Sequence, residues 1–557
     1  MKKNKDRKSS FIRFLILGLL LWVLIGYILY PALKTLQISL IKDQAFSFEN
    51  YSAFFMTESY LVSLKNSVIL GILTVIICGI IGTTLAFFVH YFDLPFNHFI
   101  DKLLLLPVVL PGLIIVFAFV QLYGESGLVT KTIQTLLGLE EIPFHLTGLK
   151  GILFVHAYTQ YVYFYMNVSL AIKHIDSSAI DAAKNLGASS WQIFKSILLP
   201  FIKPALIASS IITFMTGIGS FSAPSIIGGS YKVMTTQILL SKANNFMDVA
   251  ATQVIILTLI SLIYLGLLRF YENRIKFLTS VKSTPLKPKK IKNMVLRWTA
   301  TIIPLILVLF IVLPIITIFI LSFVKPGTWM IDIYPREFSL DNYIKIFSKK
   351  RALAPFTNSI IMAAVTAILC AAVAIPSSFI VTKTKSKFKP IIELLIMLPW
   401  AIPSSAIAIN MINAFNKSTI FTGGRILVGG YILLPIAYFV SLVPLMFRSA
   451  NISFQNLNDV YIEASKSLRA NRLQTLRRII LPFLTPGMMA GIILIVIRCL
   501  GEYTISAFLY TVSNKPISIA MVNGIFEYEI GLSMAYGALV VVFAFLVNIT
   551  IRKLQKS

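Results

Sequence analysis

Apolar residues in this chain are gathered into long runs, separated by short polar, basic or glycine- and proline-bearing stretches. The runs lie near 11–33, 61–89, 101–122, 149–172, 197–218 and 250–269, and again near 298–323, 356–382, 391–412, 426–447, 479–500 and 534–551. At 1.5 Å per residue each can cross the ~30 Å of a bilayer's hydrocarbon core. In lipid each must be helical, because a backbone N–H or C=O left without a partner is too costly there. The pattern therefore predicts an all-α integral membrane protein with twelve transmembrane helices, six on each side of a polar break. The first run follows the basic segment Met1-Lys2-Lys3-Asn4-Lys5 and is too long for a signal peptide, so it reads as a retained span.

Composition agrees. Of 557 residues, 57% are hydrophobic and 13% charged, against about 25% charged in an ordinary soluble protein. With a mean hydropathy of +0.83, a soluble enzyme is excluded. The net charge is +28, and its distribution explains it. Bases crowd residues 1–13, the stretch Phe270–Trp298 (Arg274, Lys276, Lys282, Lys287, Lys289, Lys290, Lys292, Arg297), the cluster Lys383, Lys385, Lys387 and Lys389, and the end (Arg552, Lys553, Lys556). Twelve spans with both termini cytoplasmic put all of these on one side, as the positive-inside rule requires. Segments 123–148 and 501–533, expected outside, carry Glu125, Glu140, Glu141, Glu527 and Glu529, although Lys349-Lys350-Arg351 breaks the pattern. The charge is membrane topology, with no nucleic-acid footprint. Cys78, Cys370 and Cys499 form no CxxC pair, and the five histidines show no ligand spacing, so neither a disulfide framework nor a metal set is assigned.

The chain is written twice. Ser47-Phe48-Glu49-Asn50-Tyr51 matches Ser339-Leu340-Asp341-Asn342-Tyr343 at an offset of 292 residues, which also relates Asn66-Ser67 to Asn358-Ser359, Cys78 to Cys370, Pro107 to Pro399 and Pro111 to Pro403. Later the offset becomes 282, pairing Pro200 with Pro482 and Gly219 with Gly501. Six spans per copy make these parallel repeats, for which a substrate path between the halves is expected. The expected organisation is a first half at 1–270, a basic linker without a fold of its own at 271–297, and a second half at 298–557.

After the fourth span the first copy reads Asp181-Ala182-Ala183-Lys184-Asn185-Leu186-Gly187, then nine residues, then Ile197-Leu198-Leu199-Pro200. The second reads Glu463-Ala464-Ser465-Lys466-Ser467-Leu468-Arg469, nine residues, then Ile479-Ile480-Leu481-Pro482. Small residues let a partner approach closely, Gly187 permits a left-handed turn, and the prolines suit the first turn of a re-entering helix. This doubled pattern resembles the EAA motif, E-A-A-x3-G-x9-I-x-L-P, of ATP-binding-cassette (ABC) importer permeases of type I. The resemblance implies that Asp181, Ala182, Ala183 and Gly187, with Glu463, Ala464, Ser465 and Arg469, form two coupling knobs that dock on separate ATPase subunits, a homodimer. Arg469 stands where that family has glycine, which puts identical docking of the two halves in doubt.

No phosphate-binding loop occurs in the sequence, so ATP and Mg are expected in the partner subunits and no cofactor in this chain. The resemblance further implies an extracytoplasmic solute-binding protein as partner and a bacterial inner membrane as location. Among such permeases the fused six-plus-six arrangement is most similar to those for ferric iron, with thiamine, 2-aminoethylphosphonate, polyamine or sugar phosphate as alternative cargoes. Gly501-Glu502-Tyr503 and Gly219-Ser220-Phe221 resemble the outer-mouth region of that group, making Glu502, Tyr503, Ser220 and Phe221 candidates for the substrate path. For Glu502 a solvated carboxylate at a helix end stands as the other reading, and for the cluster Tyr158, Tyr161, Tyr163, Phe164 and Tyr165, simple packing. His156 reads more readily as a satisfied buried histidine than as a ligand. A rival of another class is an ion-coupled secondary transporter, for which Arg498 and Glu393 are the few intramembrane candidates.

Overall fold

The computed structural model describes residues 14–274, 288–291, 293–329 and 333–556. The basic run 1–13 and most of the expected linker (275–287 and Lys292) lie outside the described residues. The first repeat comprises α1 (Phe14–Ser39), α2 (Glu49–Met56), α3 (Glu58–His90), α4 (Asn97–Leu104), α5 (Gly112–Tyr123), α6 (Gly148–Lys173), α7 (Ser177–Asn185), α8 (Leu199–Ile218), α9 (Ser222–Ile227), α10 (Met234–Ala243) and α11 (Met247–Arg274). The second follows in the same order: α12 (Met294–Ser322), α13 (Asp341–Ser348), α14 (Lys350–Lys383), α15 (Lys389–Met397), α16 (Ser404–Phe415), α17 (Leu433–Asn456), α18 (Asp459–Ser467), α19 (Leu481–Leu500), α20 (Thr504–Leu509), α21 (Ile517–Phe526) and α22 (Ile530–Lys556).

Among the described residues ten helices are long and apolar enough to cross a membrane, eleven if one bent pair counts as a span. α6 completes the expected twelve helical segments; it is 26 residues long but carries His156, Gln160 and four tyrosines. Two expected straight spans, 101–122 and 391–412, are broken. Proline disfavours the helical region for the residue before it, and Leu110 and Ile402, which precede Pro111 and Pro403, are extended with ψ of 133° and 123°. The second break bends the pair Lys389–Ala401 and Ser404–Phe415 by 113°. The expected span 426–447 begins later, at Leu433, because Gly423, Gly424 and Gly429 hold φ of +59°, +77° and +83° in turns ahead of it.

Contacts divide the chain into two compact units, neither of them a continuous half: residues 1–56, 238–256 and 340–557 in one, 57–237 and 257–339 in the other. The expected halves 1–270 and 298–557 follow the sequence repeat, whereas packing assigns the first helix of each repeat to helices of the other. Lipid tails are as apolar as leucine, so close packing and interhelical hydrogen bonds of about 0.6 kcal/mol each hold such helices together. In the first unit α1 lies along α16, where Asn413 donates to Thr35 Oγ1 at 3.2 Å and the Tyr27 hydroxyl to the Phe421 carbonyl at 2.8 Å. A π-helical turn at Ile25–Leu29 brings the bare backbone of Gly26 against the Phe421 ring.

In the second unit α12 packs on α5, and Phe310 inserts among Phe119, Tyr123, Phe154 and Tyr158. Tyr158 donates to the Ile311 carbonyl at 2.7 Å and Tyr161 to the Leu104 carbonyl at 2.5 Å. Tyr165 reaches Asp101 at 2.6 Å, with His90 3.4 Å from the same carboxylate. The tyrosine cluster of α6 is therefore packing, with each of these hydroxyls used to tie one helix to the next. The last part of the linker is also held: Lys289–Lys290 pair in parallel with Phe92–Asp93, and Asn293 caps α12 by accepting from Val295 and Leu296 N–H.

The repeat extends to individual hydrogen bonds. Asn66 donates to the Lys232 carbonyl at 2.9 Å, and Asn358 to that of Lys515 at 3.1 Å. Ser67 accepts from Met234 N–H at 2.7 Å, and Ser359 from Ile517 N–H at 2.8 Å. The Asn-Ser pairs thus fasten α3 to the start of α10, and α14 to the start of α21.

Gly26→Leu is expected to displace the Phe421 ring and cost about 1–3 kcal/mol of overpacking. Gly18→Leu, at a position with open space within 4 Å, is the control. Thermal unfolding of the detergent-solubilised protein checks this, with a lowered midpoint for the first variant alone.

Candidate functional site: two matched turns and two polar registers

The candidate knobs form at equivalent places in the two units. In the first repeat Asp176 caps α7 by accepting from Ser178 N–H at 2.9 Å. At the other end Gly187 takes φ of +80°, Ala188 N–H bonds the Ala183 carbonyl at 2.9 Å and Gly187 N–H the Lys184 carbonyl at 2.9 Å. These two bonds close a Schellman motif. Chain direction then reverses into a second short helix, started by a reciprocal capping box in which Ser189 and Gln192 each bond the other's backbone N–H, at 3.3 and 2.7 Å.

The second repeat builds the same turn with different residues. Ala470 N–H bonds the Ser465 carbonyl at 3.0 Å, and Asn471 and Gln474 exchange the same reciprocal pair at 2.8 Å each. Arg469 adopts φ of +59°, a left-handed conformation that costs a non-glycine residue roughly 1 kcal/mol. The arginine thus takes the glycine's left-handed conformation, and the two turns keep one backbone shape. Both turns lead into a π-helical turn, Phe194–Leu198 and Leu476–Ile480, in which Leu199 and Leu481 N–H reach back five residues just before Pro200 and Pro482.

Burial sorts the motif residues. Asp181, Ala182, Glu463 and Ala464 are exposed, and Asp181 pairs with Lys184 at 3.0 Å. Ala183 is half-buried and Ser465 is buried, its hydroxyl 2.9 Å from that of Thr475. The second small residue of each motif thus packs the turn itself, and only the first faces outward. Sequence reasoning missed the tips: Leu186 is 88% and Leu468 83% exposed, with Trp191 and Leu473 beside them at 68% and 70%. Four exposed large apolar side chains at matched positions mark a contact surface. The capping-box signatures Ser-x-x-Gln and Asn-x-x-Gln were the available signal for where the second short helix begins.

The other candidates lie in polar clusters, one inside each unit. In one, the His156 ring is satisfied on both sides, by Thr74 Oγ1 at 2.8 Å and Ser220 Oγ at 2.9 Å, while Thr235 donates to the Ser220 carbonyl at 2.6 Å. Phe221 is buried. In the other, Glu502 occupies the place of Ser220, and Ser518 donates to its carbonyl at 2.8 Å. Its carboxylate accepts from Ile505 N–H at 3.1 Å and Ser506 N–H at 3.2 Å, so it caps α20, and the Ser506 hydroxyl meets that of Tyr438 at 2.7 Å. Glu502 is half-buried rather than freely solvated, and burial pushes its carboxyl up to about 7 against the pull of the backbone N–H groups. Tyr503 is largely buried. Among the described residues no group of three His, Cys, Asp or Glu side chains is placed to hold a metal ion.

Comparison with known proteins bears on the chain as a whole. The chain is 27% identical to "Probable ABC transporter permease protein y4fN" of Sinorhizobium fredii over 97% of its own length and 96% of that protein's. It is 27% identical to "Ferric transport system permease protein FbpB" of Actinobacillus pleuropneumoniae, over 80% of this chain and 64% of that one. Over 45% of its length it is 23% identical to "Putative 2-aminoethylphosphonate transport system permease protein PhnU" of Salmonella typhimurium, covering 91% of that protein. The family model for binding-protein-dependent transport system inner membrane components matches residues 76–277 and 363–557, one copy in each repeat. These helices, duplicated turn for turn, belong to a fused two-copy member of the family of binding-protein-dependent transport system inner membrane components.

Proposed function

We propose that this chain is the translocating subunit of an ATP-driven importer for ferric iron, lying in a bacterial inner membrane with both termini cytoplasmic. The observation that carries the reading is the pair of matched knobs, each presenting an exposed leucine at its tip. ATPase subunits, one beneath each half as a homodimer, seat Leu186 and Leu468 with the outward residues Asp181, Ala182, Glu463 and Ala464. Closure of those subunits on ATP and Mg draws the knobs together. The spans that leave each knob, α8 and α19, follow directly on a π-helical turn and carry a proline at their second residue, so knob motion enters the membrane along them. A solute-binding protein on the outer side delivers cargo and supplies most of the selectivity. Iron is favoured over 2-aminoethylphosphonate because the permeases named for ferric transport match across both repeats, whereas the one named for aminoethylphosphonate matches under half of the chain.

Glu502 is the carboxylate we place on the substrate path, with Ser220 as its uncharged counterpart and Tyr503 and Phe221 supporting each backbone from within. A carboxyl raised to about 7 is ionised above neutrality and protonated below it, so it favours a cation less as pH falls.

Three outcomes follow. Leu186→Asp and Leu468→Asp together are expected to abolish retention of the ATPase subunits during purification and lower uptake at least ten-fold, with the amount of chain in the membrane unchanged. Uptake of radiolabelled ferric iron by a strain lacking this chain is expected to fall and to return on complementation; normal iron uptake with loss of aminoethylphosphonate uptake would replace the cargo and keep the importer. Iron uptake by proteoliposomes is expected to drop between pH 8 and 6 in the native protein, and to be low and flat for Glu502→Gln. Parallel profiles in the two would remove Glu502 from the path.

A further inference from the structure

At its last residue, α14 ends in a lysine that is not solvated. The Lys383 side chain is 13% exposed, and its ammonium donates to the Leu457 carbonyl at 2.7 Å and to Asp459 Oδ1 at 2.7 Å. Leu457 is the C-cap of α17, and Asp459 is the first residue of α18, the second knob helix. One cation therefore joins the ends of two spans to the beginning of a knob. The placement is favourable for both partners: a cation suits the carbonyl-rich end of a helix, and an acid suits the N–H-rich start of one. Asp459 is 70% exposed, so the ion pair alone contributes modestly, and the bond from the largely buried ammonium to the Leu457 carbonyl fixes the joint.

The surroundings make the joint a rigid one. One turn earlier on α14, Ser378 bonds the Asn451 side chain of α17 at 3.4 Å, and α14 packs along α17 over most of its length. Asn458 accepts from Val460 N–H at 3.1 Å, so the residue between the lysine's two partners fixes the start of α18. A cavity lined by Thr382, Glu393, Asn451 and Gln455, with the apolar Val381 and Phe454, adjoins Lys383. The first repeat is built differently. There the position matching Lys383 is Tyr91, whose carbonyl accepts from Lys289 N–H at 2.8 Å, although the cap is shared, Asp176 accepting from Ser178 N–H as Asn458 does from Val460 N–H.

We propose that Lys383 is a positioning residue of the transport cycle, bolting the second knob to α14 and α17 so that displacement of the knob is carried by that pair of spans as well as by α19. The proposal rests on the reading of the knobs as ATPase docking sites. It assigns this role to the lysine of the second repeat alone, since Tyr91 stands at the matching position of the first.

The test uses the full chain with its ATPase subunits in proteoliposomes and measures solute transported per ATP hydrolysed. Lys383→Met keeps the apolar stem and removes the ammonium. It is expected to leave complex yield and basal hydrolysis within two-fold of the native protein and to lower transport per ATP by about five-fold or more. Lys383→Arg, which can still bond both partners, is expected to restore it. Should Lys383→Met not fold, Asp459→Asn carries the test, since it leaves the bond to Leu457 and removes only the charge pair. An unchanged ratio of transport to hydrolysis overturns the proposal, as does loss of the ATPase subunits from the complex, which would make the lysine a docking residue. A native complex that hydrolyses no ATP would overturn the reading of the knobs, and the strut with it.

Discussion

Hydrocarbon offers no hydrogen-bond partner, and the breaks within the described spans are arranged around that constraint. Where Pro111 and Pro403 break a span, the chain resumes helix within a residue or two, and the extended backbone at Leu110 and Ile402 is covered by other helices of the same unit. Where Pro200 and Pro482 lack an N–H, a π-helical turn shifts the preceding bonds by one residue so that the helix continues. Buried hydroxyls follow the same logic. Thr74 bonds the carbonyl one turn back and a side chain on the next helix, and so serves its own helix and the packing together.

Much of this was legible beforehand because it is written in apolar run length and in repeated spacing. The twelve segments, the doubled motif and the turn at Gly187 needed only local reasoning. The broken spans are not legible in run length, even with Pro111 and Pro403 matched across the repeat, because a run count treats proline as neutral while the residue before it does not. Arg469 looked like a departure because glycine is the easy solution to a left-handed turn; the surrounding Ala470-to-Ser465 bond and the Asn471–Gln474 box hold an arginine there anyway. Leu186 and Leu468 were passed over because inside the motif they read as spacers. Glu502 was weighed as solvated, since an N-cap made by a glutamate two residues ahead of its helix has little sequence signature. The pairing of α1 with second-repeat helices leaves no local trace at all, because it depends on residues nearly four hundred positions away.

The two repeats share hydrogen bonds down to single atoms yet differ where charge is concerned. Ser220 and a histidine network stand in one, Glu502 and Tyr438 in the other; Tyr91 stands opposite Lys383. Shared bonds such as those of Asn66 and Asn358 preserve the helical frame, and the differences are confined to a few side chains that the frame holds. A fused chain permits this, since each copy is free to change without its twin.

The exchange of first helices has a consequence for biogenesis. α1 leaves the ribosome some 360 residues before α16, against which it packs. At the usual 5–20 residues per second that is a wait of roughly 20–70 seconds. Through that interval α1 is a lone lipid-facing helix with Thr35 and the Gly26 groove uncovered, open to capture by an insertion chaperone or by the wrong neighbour. The unit containing residues 57–237 closes earlier, once α12 has emerged. Assembly therefore runs from the middle of the chain outward, and the first span to be made is among the last to find its place.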